Sequence, residues 1–122
     1  MDQKKILYVD DDAALREIVK DQLSSSGFAI EEAEDGAAAI SKLETGNFDL
    51  MLLDINMPNK SGIDVLKFIK EKALKCKVIM LTGRVGFSVA TESLKLGADD
   101  YITKPFNMDY LLFSIKRVLE KK

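Results

Sequence analysis

Three short, unbroken apolar runs punctuate the chain: ILYV at 6–9, LMLL at 50–53 and VIML at 78–81. Their length and continuity are those of strands buried on both faces, as in a parallel sheet covered by helices. FAIEEA at 28–33 and DYIT at 100–103 are more polar, which suits sheet edges, where one side is less covered. Helical patterns run between the strands. Leu15, Ile18, Val19 and Leu23 follow an i, i+3, i+4, i+8 spacing, and Gly27 stops them shortly after. The spacing predicts a second helix from Gly36 to about Thr45 with Gly46 as its terminator, and a third marked by Ile63, Leu66 and Ile69. Phe87, Ala90 and Leu94 mark a fourth that ends at Gly97, and Asn107 caps a fifth carrying Leu111, Leu112, Ile115 and Leu119. Five βα units in a row imply an α/β domain whose five-stranded sheet is parallel, with right-handed crossovers. No linker, low-complexity tract or internal repeat interrupts the series.

The 122 residues suffice for one domain, and folding at that size buries roughly two-thirds of the unfolded surface. Lys and Arg total 18 against 20 Asp and Glu, and a formal charge of −2 supplies no net basic field for nucleic acid. The single cysteine, Cys76, excludes an intramolecular disulfide and suits a reducing compartment, so a cytoplasmic location is expected. MDQKK leads into only four apolar residues, too few for a signal peptide or a membrane span. The chain has no histidine, which removes Ser-His-Asp and Cys-His nucleophile arrangements and His-based zinc sites. Any chemistry must draw on Asp, Lys, Thr or Ser.

Ligand sites in open α/β sheets gather beyond the carboxyl ends of the strands, where strand order reverses. There the first strand delivers Asp10, Asp11 and Asp12, the third Asp54, the fourth Thr82 and Gly83, and the fifth Lys104 and Pro105. Like charges side by side in a partly desolvated site raise one another's pKa values, so a cation is expected among them. A carboxylate cluster favours a hard, oxygen-loving divalent ion. Mg²⁺ suits a site that keeps several waters and binds a phosphate beside it.

VDDD at 9–12, LLDINMP at 52–58, MLTGR at 80–84 and GADDYITKPF at 97–106 resemble the four signatures of a CheY-like response-regulator receiver domain. The resemblance covers essentially the whole chain, residues 1–122. It implies a flavodoxin-like (βα)5 three-layer sandwich of strand order 2-1-3-4-5, and a phosphoacceptor switch of a two-component system. Asp54 would accept a phosphoryl group from a sensor histidine kinase or phosphotransfer protein in a Mg²⁺-dependent reaction, with no activity beyond self-directed phosphotransfer and autodephosphorylation. Asp11 is implied as a direct Mg²⁺ ligand, Asp10 as one acting through water, and Asn56 as a backbone-carbonyl ligand beside Asp54. Asp12 is read instead as an N-cap for the following helix. Lys104 would be the second cation, aimed by a cis Lys104-Pro105 bond, and Thr82 would give its hydroxyl to a phosphoryl oxygen. Tyr101 would relay that movement to the face of the fourth helix, fifth strand and fifth helix. Pro58 and Gly62 shape the loop after the acceptor.

Two competing functions fit less well. An aspartyl-nucleophile phosphatase wants a second acid two residues beyond the nucleophile, where this chain has Asn56. A flavodoxin-type carrier needs a first loop that cradles phosphate, and DDDAA would repel it. For the output face, GADDYITKPF matches the acidic side of the acid-base pairing by which winged-helix regulators dimerise. Ser114 stands where a pairing arginine is expected, and Lys95 is the only basic residue of FSVATESLKL. The expectation is a monomer or a weak phosphorylation-dependent dimer. Its partner on that face would be a downstream protein or a fused output domain, not DNA or membrane, and Arg84, Lys95, Lys116 and Arg117 could ring the surface.

Overall fold

The computed structural model describes residues 3–55, 61–83 and 94–121. Five strands, β1 (Lys5–Val9), β2 (Ala29–Ala33), β3 (Leu50–Asp54), β4 (Lys77–Thr82) and β5 (Asp100–Thr103), form one sheet of order β2-β1-β3-β4-β5. Every pairing is parallel. The helices among the described residues are α1 (Ala13–Ser25), α2 (Gly36–Thr45), α3 (Gly62–Glu71) and α4 (Met108–Glu120). Strand order reverses between β1 and β3, which puts the ends of these two strands side by side at the switch point.

Alternation along the central strands sorts the core into two layers. Leu7, Val9, Met51, Leu53 and Met80 belong with Ala39 and Leu43 of α2 and with Val65 and Leu66 of α3. Ile6, Tyr8, Leu50, Leu52, Ile79 and Leu81 belong with Val19 and Leu23 of α1 and with Leu111, Ile115 and Val118 of α4. Both faces are covered, which is why β3 is buried at all five positions and reads as four apolar residues before Asp54.

Each helix is started by a side chain that accepts from otherwise unpaired first-turn N–H groups. Asp12 accepts from Leu15, Asp35 from Ala38, and Asn107 from Asp109 and Tyr110, while Ser61 and Asp64 form a reciprocal capping box. Asp12 is thereby the N-cap that its position suggested. The Lys104-Pro105 bond is cis.

Two positions differ from expectation, and a third, Gly46, meets it by an unexpected geometry. Ile18, placed on the apolar face of α1, is 55% exposed. The buried stripe runs instead through Leu15, Val19 and Leu23, spaced four apart, and Ile18 lies one residue off it. Gly46 ends α2 where expected, but with φ −126 it is extended, not left-handed. A Cβ there would lie 3.2 Å from the Phe48 ring and 3.3 Å from the Lys42 carbonyl oxygen, so close approach is what makes glycine fit. Ser114 is fully buried within the helix-to-sheet layer, so that position faces the core and not a partner. Of the helix expected around Phe87, Ala90 and Leu94, only Leu94 and Lys95 are described, and both are helical. Phe87, Ala90 and Arg84 lie outside the described residues, as do Asn56 and Pro58.

Candidate functional site

Burial carries Asp10 to 0% exposure just after β1, and Asp54 to 5% at the last position of β3. Neither carboxylate can rely on bulk water, so partners must come from the protein. Asp10 Oδ1 accepts from the Asp12 N–H at 3.0 Å. Its Oδ2 accepts from the Tyr8 hydroxyl at 2.9 Å and from Lys104 Nζ at 2.7 Å. The same ammonium lies 3.2 Å from Asp54 Oδ2. Asp11 is exposed, and carboxylate oxygens of Asp10, Asp11 and Asp54 lie within 4.8 Å of one another. Lys104, expected as the second cation of the site, is thus bonded to two of its acids, Asp10 and Asp54.

The backbone around these groups is tied down from several sides. Asp10 N–H donates to the Ala33 carbonyl at 3.1 Å, and the Asp10 carbonyl accepts from Arg16 Nη1 at 2.6 Å. Arg16 is itself held through Nε by Glu32 at 3.1 Å. Lys104 N–H donates to the Thr82 carbonyl at 2.6 Å, which locks the end of β5 to the end of β4. Gly62 N–H donates to the Ile55 carbonyl at 2.9 Å, and a Cβ on Gly62 would lie 2.4 Å from the Asp54 carbonyl oxygen. The start of α3 therefore presses directly on the backbone of Asp54.

Electrostatics fix the charge states at neutral pH. Burial works to raise the Asp10 pKa, but hydrogen bonds from Lys104, the Asp12 N–H and Tyr8 outweigh it and hold the carboxyl below its usual range. Burial works to lower that of Lys104, and the hydrogen bond to Asp10 with the Asp54 charge raises it instead. Tyr8 is pushed far up, first by burial and then by the Asp10 charge, so its hydroxyl stays a donor.

Thr82 is buried at the end of β4, and its Oγ1 has no hydrogen-bond partner among the described residues. A buried hydroxyl without a partner is uncommon, and Ser114 Oγ in the core shares the property; what sets Thr82 apart is its place at the strand ends, bonded through its carbonyl to Lys104. Tyr101 is 37% exposed and stands opposite Met80 in the sheet register, whereas Thr82 is opposite Thr103. Leu15, Gly83, Lys104, Pro105 and Phe106 line an adjoining apolar hollow of 340 Å³. The all-oxygen donor set, hard and anionic, fits Mg²⁺ better than any softer metal.

Two supports of this site escaped the sequence reading. Tyr8 lies two residues before Asp10, on the same strand face, but within ILYV it reads as one more core residue. Arg16 lies four residues after Asp12, one turn into α1, where a basic residue ordinarily reads as solvated surface.

The profile of the response regulator receiver domain matches residues 6–116. The chain belongs to this family. The transcriptional regulatory protein CpxR of Escherichia coli is 43% identical over 117 residues, covering 96% of this chain and 50% of CpxR. ResD of Bacillus subtilis, also a transcriptional regulatory protein, is 39% identical over 119 residues, covering 98% of this chain and 49% of ResD. The receiver domain thus spans about half the length of these relatives. A CheY-like receiver domain protein from Methanospirillum hungatei superposes with a TM-score of 0.93 at 36% identity, over 98% of this chain and 95% of that one. The Thermotoga maritima response regulator TrrA, in complex with Mg²⁺-BeF, superposes with a TM-score of 0.85 at 39% identity, over 95% and 99% of the two chains. The receiver fold and the flavodoxin-like strand order 2-1-3-4-5 are therefore established. No helix among the described residues is long and apolar enough to cross a membrane.

Proposed function

We propose that this receiver domain, residues 1–122, is a phosphoacceptor switch in which Asp54 is the nucleophile. The observation that carries the reading is the placement of Asp54: nearly buried, within 4.8 Å of the Asp10 and Asp11 carboxylates, and hydrogen-bonded to Lys104. An Asp54 carboxylate oxygen forms a bond to phosphorus as the bond from phosphorus to a histidine nitrogen of the donor breaks. Transfer of this kind needs mainly positioning and charge neutralisation. Asp11 and Asp54 would hold Mg²⁺ directly, Asp10 through water, and Asn56 through its backbone carbonyl. When bound, the ion offsets the negative charge that the phosphoryl oxygens bring.

Lys104, already 3.2 Å from Asp54, supplies the second positive charge on a phosphoryl oxygen. Thr82 offers a hydroxyl that has no partner among the described residues. Its movement toward the phosphoryl group would be relayed to the exposed Tyr101 and so to the surface of β5 and α4. The donor is a sensor histidine kinase or phosphotransfer protein in the cytoplasm. Leu15, Pro105 and Phe106 give it an apolar landing beside the acceptor. The β5–α4 face would be read by a fused output domain, as in transcriptional regulatory relatives, or by a separate protein target. Asp100 is already paired with Arg117 inside one molecule, which supports a monomer or a weak phosphorylation-dependent dimer.

Intact-mass analysis after incubation with acetyl phosphate and Mg²⁺ tests the assignment. The wild type should gain one phosphoryl group, and the gain should vanish with EDTA and in Asp54→Asn. An equal gain in Asp54→Asn would refute it.

A further inference from the structure

We propose that Tyr8 is a positioning residue of this site: its hydroxyl holds the Asp10 carboxylate so that Lys104 can leave Asp10 for a phosphoryl group on Asp54. The inference rests on the phosphoacceptor reading and adds to it a residue outside the four signature motifs.

Asp10 Oδ2 accepts two donors, the Tyr8 hydroxyl at 2.9 Å and Lys104 Nζ at 2.7 Å. A carboxylate oxygen has two lone-pair sites, so these two saturate it. Lys104 is closer to Asp10 than to Asp54, at 2.7 against 3.2 Å, and must shift its allegiance when negative charge builds on Asp54. Asp10 is completely buried, and taking a donor from a buried carboxylate is expensive when nothing remains to bond that oxygen. Tyr8 remains. Its ring is fixed in β1 between packed strands and helices, so the hydroxyl keeps its place whichever way Lys104 turns. The hydroxyl has a second reason to stay, because a buried tyrosine O–H needs a partner and, among the described residues, Asp10 is the one it has.

Tyr8→Phe keeps the ring and deletes only the donor. In the variant, Lys104 becomes the sole donor to Asp10 Oδ2 and is held there more tightly. Binding of beryllofluoride, a phosphoryl mimic, at saturating Mg²⁺ is the readout. Affinity should fall about three- to tenfold in Tyr8→Phe, the loss of one charge-assisted hydrogen bond in part. In a Lys104→Met background the same change should have no effect, since no lysine is left to release. Mg²⁺ affinity without beryllofluoride should not weaken, whereas general damage to Asp10 would weaken it. Unchanged beryllofluoride affinity in Tyr8→Phe, or an equal loss in the Lys104→Met background, would overturn the proposal. If Tyr8→Phe fails to fold, wild type labelled with ¹³Cζ-tyrosine gives the answer. The Tyr8 resonance should shift on adding beryllofluoride in wild type and not in Lys104→Met, and a resonance that does not move in wild type would overturn the proposal as well. Failure of wild type itself to bind beryllofluoride would instead bring down the phosphoacceptor reading, and this inference with it.

Discussion

Lys104→Met should destabilise the domain in the absence of metal and make it depend more strongly on Mg²⁺. The lysine ammonium lies 2.7 Å from Asp10 and 3.2 Å from Asp54. At an effective dielectric constant of about 20, unit charges at these separations attract by about 6 and 5 kcal/mol. Much of that is offset by desolvation of the fully buried Asp10 and of a lysine side chain that is 22% exposed. Removing one partner of a buried pair strands the other, and the net loss should be about 3 kcal/mol, the lower end of the usual range for such pairs. With a urea m-value of about 1.5 kcal/mol/M, the unfolding midpoint in EDTA should fall by about 2 M.

The contribution has a defined pH window. The Asp10 pKa is lowered, so its share is present above the ordinary value of 3.8 and is lost as pH falls through the depressed one. The Lys104 pKa is raised, so its share is present below 10.5 and is lost as pH rises through the elevated one. The gap between wild type and variant should therefore be flat from about pH 5 to 9. Mg²⁺ should close it in part, because the three carboxylates lose their internal cation and bind the ion more tightly, by RT ln(1 + [Mg²⁺]/Kd) in stability. A variant as stable as wild type in EDTA, or one with unchanged Mg²⁺ affinity, would refute the reasoning.

Two further substitutions probe the frame around the site. Gly62→Ala places a Cβ 2.4 Å from the Asp54 carbonyl oxygen and 2.8 Å from Ile55 Cα, backbone atoms that cannot step aside. It should cost about 2 kcal/mol in thermal or urea unfolding and slow phosphorylation of Asp54; wild-type stability would mean that α3 slides away freely. Cys76 is pushed up to about 12, first by burial and then by the charges of Asp49 and Asp99. Its half-buried thiol should react more slowly with disulfide reagents at pH 8 in the native than in the unfolded protein, and equal rates would contradict the raised pKa. A raised pKa gives stability that is whole below the reference value of 9.0 and drains away as pH climbs toward 12. Cys76→Ala should flatten that alkaline limb.

Much of the fold is legible because a parallel sheet covered on both faces forces its central strands to be apolar at every position. β1, β3 and β4 announce themselves by that rule alone. The edges announce themselves by charge: Glu31 and Glu32 of β2 are half-buried and hydrogen-bonded to Lys5 and Lys42, and to Lys20 and Arg16. Both glutamates are held below their usual range, Glu31 by its two lysines and Glu32 by Lys20 and Arg16 against the opposing effect of burial. What periodicity does not carry is rotation about a helix axis. A stripe of apolar residues four apart and one of residues three and four apart look alike in α1, and only packing shows that Ile18 faces out. Rotation likewise places Ser114, at the position expected of a pairing arginine, fully inside the core.

The members of the site were legible for a topological reason, and their bonds were not. Strand ends converge at one edge of a parallel sheet, so any acid or lysine that terminates a strand is delivered there. Which of them touch is set by reach. β5 lies two strand spacings from β3 and three from β1, about 10 and 14 Å, and a lysine side chain extends only roughly 6 Å from its Cα. By that count Lys104 should prefer Asp54, yet it sits nearer to Asp10, whose sequence separation from it is 94 residues. The chain after Thr103 must turn inward over the strand ends, and the hydrogen bond from Lys104 N–H to the Thr82 carbonyl anchors that turn. Thr82 therefore meets the site twice, through a hydroxyl that has no partner among the described residues and through a carbonyl that holds the lysine. On the proposed function, a movement of Thr82 toward a phosphoryl group would carry Lys104 with it through that one backbone hydrogen bond, so the two groups would answer the new charge together rather than separately.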